Sequence, residues 1–296
     1  MITTDILILG LGPAGATAGI YSARAGAKTV ILESFAPGGQ INLTHEIENF
    51  PGYLSIGGPD LGEKMTTQAE KAGCEIIFDE VKEIDLIKKT VTAFENVIQY
   101  KSLIIAGGCK PRTLGIPRED DFIGNGIHFC SLCDGAFYKG KDIVIVGGGN
   151  HAAEEAIYMR DIAKSIVIVN DIDNYRAQEV LIKQIASIPV HHNSGVKDLV
   201  VNNEKISGVI LKDGTHVPVD GMFVAIGRVP NSEPFVGKVE MTKDKYIIVD
   251  AHMATSVDGV FACGDIIQKD VRQIITACAD GAIAGTYATA YIKGIK

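Results

Sequence analysis

Short apolar runs, each closed by a glycine turn and followed by a small-residue amphipathic stretch, set the rhythm of the chain. Asp5-Ile6-Leu7-Ile8-Leu9 is a short run, apolar after its first residue, which predicts a strand buried on both faces. Gly10-Leu11-Gly12-Pro13-Ala14-Gly15 follows, and Ala14 to Ala25 predicts a helix with Ala18, Tyr21 and Ala25 at helical spacing. Thr29 to Leu32 predicts a second strand, ending at Glu33. Together these make a β-α-β unit of about thirty residues.

The same grammar returns further on. Asp142 to Val146 predicts a strand, Gly147-Gly148-Gly149-Asn150-His151-Ala152 a glycine turn, Ala153 to Ile162 a helix, and Ile166 to Val169 a strand ending at Asn170. Tyr246 to Val249 and Gly259 to Ala262 predict further strands, and Ile274 to Ile292 a closing helix. The expected fold is α/β, with two Rossmann-like, three-layer dinucleotide-binding domains, one inserted in the other. Residues 1–114 and 244–296 form the first domain and 115–243 the second. The connections are placed at Gly115-Ile116-Pro117 and Lys243-Asp244-Lys245, which are also the expected hinges.

Composition narrows the function. A chain of 296 residues, 46% hydrophobic and 22% charged, can bury two cores and is not disordered. A net charge of −8 without basic blocks argues against nucleic acid or an anionic membrane as partner. No apolar run reaches membrane-spanning length, because Asp280 interrupts the closing helix. No signal peptide is visible, and of six cysteines only Cys130 and Cys133 are closely spaced. A cytoplasmic protein is expected, in which such a pair is redox-active or metal-binding rather than a structural staple.

The glycine clusters carry the candidate chemistry. In the first turn Gly10 permits the tight bend, Gly12 lets a pyrophosphate approach the backbone, and Gly15 lets helix pack on strand. The helix start supplies amide donors to phosphate, and Glu33 stands where an acid accepts from a ribose hydroxyl. In the second turn Gly147, Gly149 and Ala152 keep the turn chemistry, but the strand ends in Asn170-Asp171-Ile172, with no Arg or Lys before Arg176. A 2′-phosphate needs cationic donors there, so NADPH is disfavoured, whereas Asp171 suits the ribose of NADH. An unused nucleotide fold is an equal alternative.

Cys130-Ser131-Leu132-Cys133 has the spacing of a disulfide that closes and reopens, and Asp134 follows it. The same spacing is half a zinc site, but no second such pair supplies the other ligands. Cys74, Cys109, Cys263 and Cys278 are expected in the core. His128 either tunes a thiolate or is an ordinary loop histidine, and His191-His192 is read as loop.

Over nearly its whole length this pattern resembles the low-molecular-weight thioredoxin reductase family. The first glycine motif resembles that family's FAD site. Gly38-Gly39-Gln40-Ile41 and Glu48-Asn49-Phe50-Pro51-Gly52 resemble its flavin-flanking segments. Val260-Phe261-Ala262-Cys263-Gly264-Asp265 resembles the signature whose Asp holds FAD, and Arg272-Gln273-Ile274 the segment closing over the flavin. The resemblance implies FAD held by Gly10, Gly12, Pro13, Ala14, Gly15, Glu33, Gly39, Gln40, Asn49, Gly264, Asp265, Arg272, Gln273 and Ile274. It further implies that Cys133 faces the flavin, that Cys130 attacks thioredoxin, that Asp134 protonates the leaving thiolate, and that the protein is a homodimer.

One departure is specific. Where the family carries a His-Arg-Arg clamp for NADPH, this chain has Asn170-Asp171-Ile172, and His151 replaces a small residue. The chain most resembles the branch lacking the NADPH site, the ferredoxin-dependent flavin thioredoxin reductases. From a plant-type ferredoxin near roughly −400 mV to thioredoxin near roughly −270 mV, two electrons fall by about 6 kcal/mol. Three alternatives stand beside it: an NADH- or NADPH-dependent thioredoxin reductase, an FAD-dependent dithiol oxidase, and a flavin-binding redox sensor without turnover.

Overall fold

The computed structural model describes residues 1–44 and 46–295. Lys296, the last residue of the expected first domain, lies outside them. The chain divides into two compact units, Met1–Lys110 with Val229–Lys296, and Pro111–Arg228.

The first unit is built on a five-stranded parallel sheet in the order Val260–Ala262, Ser102–Ile105, Ile6–Leu9, Thr29–Glu33, Glu75–Phe78. Alternate residues of the central strand serve opposite faces. Ile6 and Ile8 pack with Ala14, Ala18 and Leu61 of the helical layer. Leu7 and Leu9 pack with Ile84, Val91 and Ile98 of a second sheet. That second sheet is four-stranded, with antiparallel pairing among Val81–Asp85, Thr90–Ala93 and Val97–Gln99. Burial on both faces explains why the run carries no polar residue.

The inserted unit repeats this plan. Its parallel sheet runs Ile127–His128, Gly221–Val224, Asp142–Val146, Ser165–Val169, Val190–His191. Ile143 and Ile145 pack with Ala152 and Ala156 of the Asn150–Met159 helix. Val144 and Val146 pack with Val209 and Leu211 of an antiparallel sheet. Each unit is thus a three-layer α/β fold of Rossmann type.

The closing helix spans Ile274–Ile292, as the pattern predicts. Three expectations need correction. The second glycine turn opens its helix at Asn150, not Ala153, because the helix starts directly behind Gly149, as the Pro13–Arg24 helix starts behind Gly12. Tyr246 to Val249 is not a strand; only Ile247 makes isolated bridges, to Met241 and Ile267. The chain returns to the first unit after Arg228 rather than after Lys243. The reason is burial: Phe235 and Val239 sit in the first unit's core with Ile84, and Asn231 donates to the Gly107 and Gly108 carbonyls at 2.8 and 3.0 Å.

Among the described residues no helix is long and apolar enough to cross a membrane. The closing helix instead lies against the Pro13–Arg24 helix. A Cβ at Gly281 would stand 2.2 Å from the Ala14 carbonyl oxygen, and one at Gly285 2.5 Å from that of Ala18. Both glycines are therefore explained by packing within one chain.

Candidate functional site

In the first unit Gly10 takes φ +105°, and a Cβ there would lie 2.5 Å from the Ala106 carbonyl oxygen. A Cβ on Gly15 would lie 1.9 Å from the Gly10 carbonyl oxygen. These two positions are closed by backbone. Gly12 is different: a Cβ there would have only the Gly38 carbonyl oxygen near it, at 3.8 Å. Gly12 caps the Pro13–Arg24 helix with no side-chain cap, and Pro13 opens its first turn. The open ground before Gly12, at a helix start, fits the close approach of a pyrophosphate.

Glu33, at the end of its strand, accepts the Leu11 amide on Oε2 at 2.7 Å and the Phe35 amide on Oε1 at 3.0 Å. Each carboxylate oxygen has a further lone pair that can take a ribose hydroxyl. Gly39 and Gln40 begin the Gly39–Leu43 turn, and Gln40 Nε2 donates to the Cys109 carbonyl. The Cys109 thiol in turn lies 3.9 Å from Asp265 Oδ2. Gly264 and Asp265 open the short turn after the last strand of the sheet. Lys269 Nζ lies 4.0 Å from Asp265 and 2.6 Å from Asp280, which also accepts the Gly264 amide at 3.2 Å. Asn49 donates to Gln273 Oε1 at 3.2 Å. Gln273 caps the closing helix, with Ile274 as its first residue. Arg272 donates to the Lys269 and Ile267 carbonyls and lies 4.4 Å over the Tyr246 ring.

The structure thus ties the predicted flavin-side residues into two chains, Gln40–Cys109–Asp265 and Asn49–Gln273. Cys109, Lys269, Asp280 and Tyr246 were not anticipated at the site. Asp280 had a signal, being the charge inside an otherwise apolar helix. Of the cysteines expected in the core, Cys74, Cys109 and Cys263 are buried and Cys278 is half-buried. Burial pushes the Cys74 thiol up to about 11, and those of Cys263 and Cys278 up as well, so these three sulfurs are poor thiolates.

In the inserted unit Cys130 and Cys133 are joined as a disulfide, with Cα atoms 5.3 Å apart. The Cys133 and Asp134 amides donate to the Cys130 carbonyl at 3.2 and 3.1 Å, forming the single turn Ser131–Asp134. The buried Glu155 accepts the Ser131 amide at 2.6 Å and so pins this turn to the Asn150–Met159 helix. Asp134 lies 3.2 Å from His128 Nδ1, and both are buried. Neither Glu155 nor the His128–Asp134 pairing was read from the sequence. Among the described residues no three His, Cys, Asp or Glu side chains gather as a metal ion would need.

The second glycine turn copies the first. A Cβ on Gly147 would lie 2.5 Å from the Ala225 carbonyl oxygen, and Gly149 has open ground before it. Its strand end differs. Asn170 is fully buried, and its amide would lie 2.3 Å from a Cβ on Gly148. Asp171 is exposed, and the Arg176 amide donates to the Gly148 carbonyl at 2.7 Å.

Fold and disulfide together define a two-unit dinucleotide-fold protein carrying a Cys-x-x-Cys disulfide in its inserted unit. Comparison with known proteins sharpens this class. The pyridine nucleotide-disulphide oxidoreductase family profile matches residues 4–281. A thioredoxin reductase of Listeria monocytogenes is 39% identical, covering 99% of this chain and 95% of that protein. One of Bacillus subtilis is 38% identical, over 99% and 96%. The crystal structure of thioredoxin reductase from Streptococcus pyogenes superposes with a TM-score of 0.92 at 39% identity, covering 99% of each chain. The chain belongs to the pyridine nucleotide-disulphide oxidoreductase family.

Proposed function

We propose that this chain is a thioredoxin-disulfide reductase, a flavoprotein that passes electrons through FAD and the Cys130–Cys133 disulfide to thioredoxin. The observation that carries the reading is that disulfide, followed directly by a buried Asp134, in a chain alike over 99% of its length to thioredoxin reductases. FAD is held by the first glycine turn, with Gly12 giving the pyrophosphate its approach and Glu33 taking a ribose hydroxyl. Gly39, Gln40, Asn49, Gly264, Asp265, Arg272, Gln273 and Ile274 would hold the rest of the cofactor. When bound, FAD supplies the electron pair that opens the disulfide. Cys133 would be the thiol that exchanges electrons with the flavin, Cys130 attacks the thioredoxin disulfide through a mixed disulfide, and Asp134 protonates the leaving thiolate. The protein works as a cytoplasmic homodimer.

Reduced ferredoxin is the favoured donor. What supports it is the neutral Asn170 and the acidic Asp171 where a 2′-phosphate requires cations. A second reading, with NADH or NADPH as donor, is favoured by Arg176, which the fold brings to the second glycine turn through its backbone.

The test is anaerobic turnover with oxidised thioredoxin, counting new thiols on thioredoxin. The wild type is expected to produce them. Cys130→Ser and Cys133→Ser are each expected to keep FAD and produce none. Thioredoxin thiols formed at the wild-type rate by either variant would remove the disulfide from the reaction.

A further inference from the structure

The peptide that joins Cys130 to Ser131 is held at both of its polar groups. Its carbonyl accepts the Cys133 and Asp134 amides at 3.2 and 3.1 Å, bonds that lie within the disulfide turn itself. Its N–H points out of the turn and donates to Glu155 Oε2 at 2.6 Å. Ser131 is buried at 2% exposure, so water cannot take over from Glu155 as acceptor. Glu155 stands on the Asn150–Met159 helix and is itself buried. Its other carboxylate oxygen faces His151 Nε2 at 3.6 Å, one helical turn earlier.

The far end of the disulfide turn rests on the same helix. Gly135 follows Asp134, and a Cβ there would lie 2.6 Å from Met159 Sδ and 3.3 Å from Cε1 of the Tyr158 ring. The stretch that carries Cys130 and Cys133 is therefore seated on one helix at two places, by a hydrogen bond at Ser131 and by packing at Gly135. The hydrogen bond acts directly on the peptide next to Cys130.

We propose that Glu155 is a positioning residue that sets the redox equilibrium of the Cys130–Cys133 pair, a role that rests on the thioredoxin-reducing function above. Forming a disulfide is a ring closure, and it is favoured when the two sulfurs are already held where the bond needs them. The two Cα atoms stand 5.3 Å apart, inside the span that a disulfide bridges. An anchored Ser131 amide keeps Cys130 near that spacing in the dithiol form, so less backbone freedom is lost on closing. A pair that closes more readily gives up its two electrons more readily, which is what a reductant of thioredoxin requires.

The experiment equilibrates FAD-loaded protein at neutral pH with reduced and oxidised dithiothreitol under argon. The Cys130–Cys133 disulfide and dithiothreitol exchange one disulfide for one dithiol. Two electrons and two protons pass, and the balance gives the equilibrium constant for closure. After alkylation, the mass of the peptide carrying both cysteines reads the oxidised and reduced shares. Glu155→Leu removes the acceptor and is expected to lower the closure constant at least about tenfold, an upward shift of about 30 mV in potential. Glu155→Gln keeps a carbonyl oxygen for the Ser131 amide and is expected to stay within about threefold of wild type. A wild-type constant in Glu155→Leu, or a shift in Glu155→Gln as large as that in Glu155→Leu, overturns the proposal. If Glu155→Leu does not fold, Glu155→Asp draws the acceptor back from the amide by one methylene and is expected to lower the constant in the same direction; an unchanged constant overturns the proposal. The equilibrium contains no thioredoxin, so its outcome is separate from that of the function, which falls if reduced wild-type protein leaves thioredoxin oxidised.

Discussion

The two glycine turns of this chain are near copies in backbone and opposites in chemistry. Gly10 and Gly147 each press on the carbonyl of a neighbouring strand, Ala106 and Ala225, with the same 2.5 Å approach of a would-be Cβ. Gly12 and Gly149 each cap a helix and leave open ground before it. The strand ends part company. Glu33 presents a carboxylate that holds the Leu11 amide, whereas Asn170 buries a neutral amide against Gly148 and leaves Asp171 outside. The turn is a demand of the fold, and the strand end is where the two units differ.

The largest expected effects come from breaking what the turns share. Gly10→Ala and Gly147→Ala each drive a Cβ to 2.5 Å from a backbone carbonyl oxygen, at φ +105° and +145°. Either should cost roughly 3 kcal/mol or more, enough to give insoluble or molten protein. Soluble variants with wild-type melting temperatures would show that the turns are not close-packed.

Next come the open glycines, which should separate the two turns. Gly12→Val is expected to leave the apoprotein's melting temperature within a few degrees of wild type while emptying the flavin site, read as lost absorbance in the flavin band. Gly149→Val is expected to keep flavin and ferredoxin-driven thioredoxin reduction. Loss of flavin in the Gly149→Val variant rather than the Gly12→Val variant would reverse the assignment.

Glu33→Gln tests the strand end itself. It keeps size but replaces a charge-assisted hydrogen bond to the Leu11 amide, an interaction worth about 1.5–3 kcal/mol. FAD affinity measured by fluorescence should fall at least tenfold. Unchanged affinity would separate Glu33 from the ribose.

The smallest effect is electrostatic and common to both units. The Lys101 ammonium and Lys28 amide hold Asp5 below the usual carboxylate range, and Lys164 with Ser165 holds Asp142 below it. A lowered carboxyl stabilises the fold above its unfolded pKa, and that contribution vanishes as pH falls through the folded value. Both sites are largely solvated, so Asp142→Asn should lower the melting temperature by only a degree or two at pH 6, with the gap closing below pH 3. A gap that widens on acidification would contradict the sign.

Much of this was legible because it is local. The closing helix, the two turns and the Cys-x-x-Cys disulfide lie in continuous stretches whose spacing carries the signal. What escaped depends on contacts across the chain. Cys109 meets Asp265, 156 residues away, and no local pattern announces it. Phe235 and Val239 look like connection until the first unit's core closes over them. Tyr246 to Val249 has strand composition but finds only isolated bridges. His128 stood open between tuning a thiolate and being an ordinary loop histidine, and its place on a short strand, 3.2 Å from Asp134, depends on contacts that no local pattern announces.

On the proposed function, one turn holds the flavin and the other lacks the chemistry for NADPH. It is tested most directly by anaerobic titration of the purified protein, watched at the flavin band, with NADPH, NADH and reduced ferredoxin in turn. Two missing charge-assisted bonds at about 1.5–3 kcal/mol each weaken NADPH by roughly a hundredfold or more. The account predicts that micromolar NADPH leaves the flavin oxidised while reduced ferredoxin bleaches it. Rapid bleaching by micromolar NADPH would contradict it.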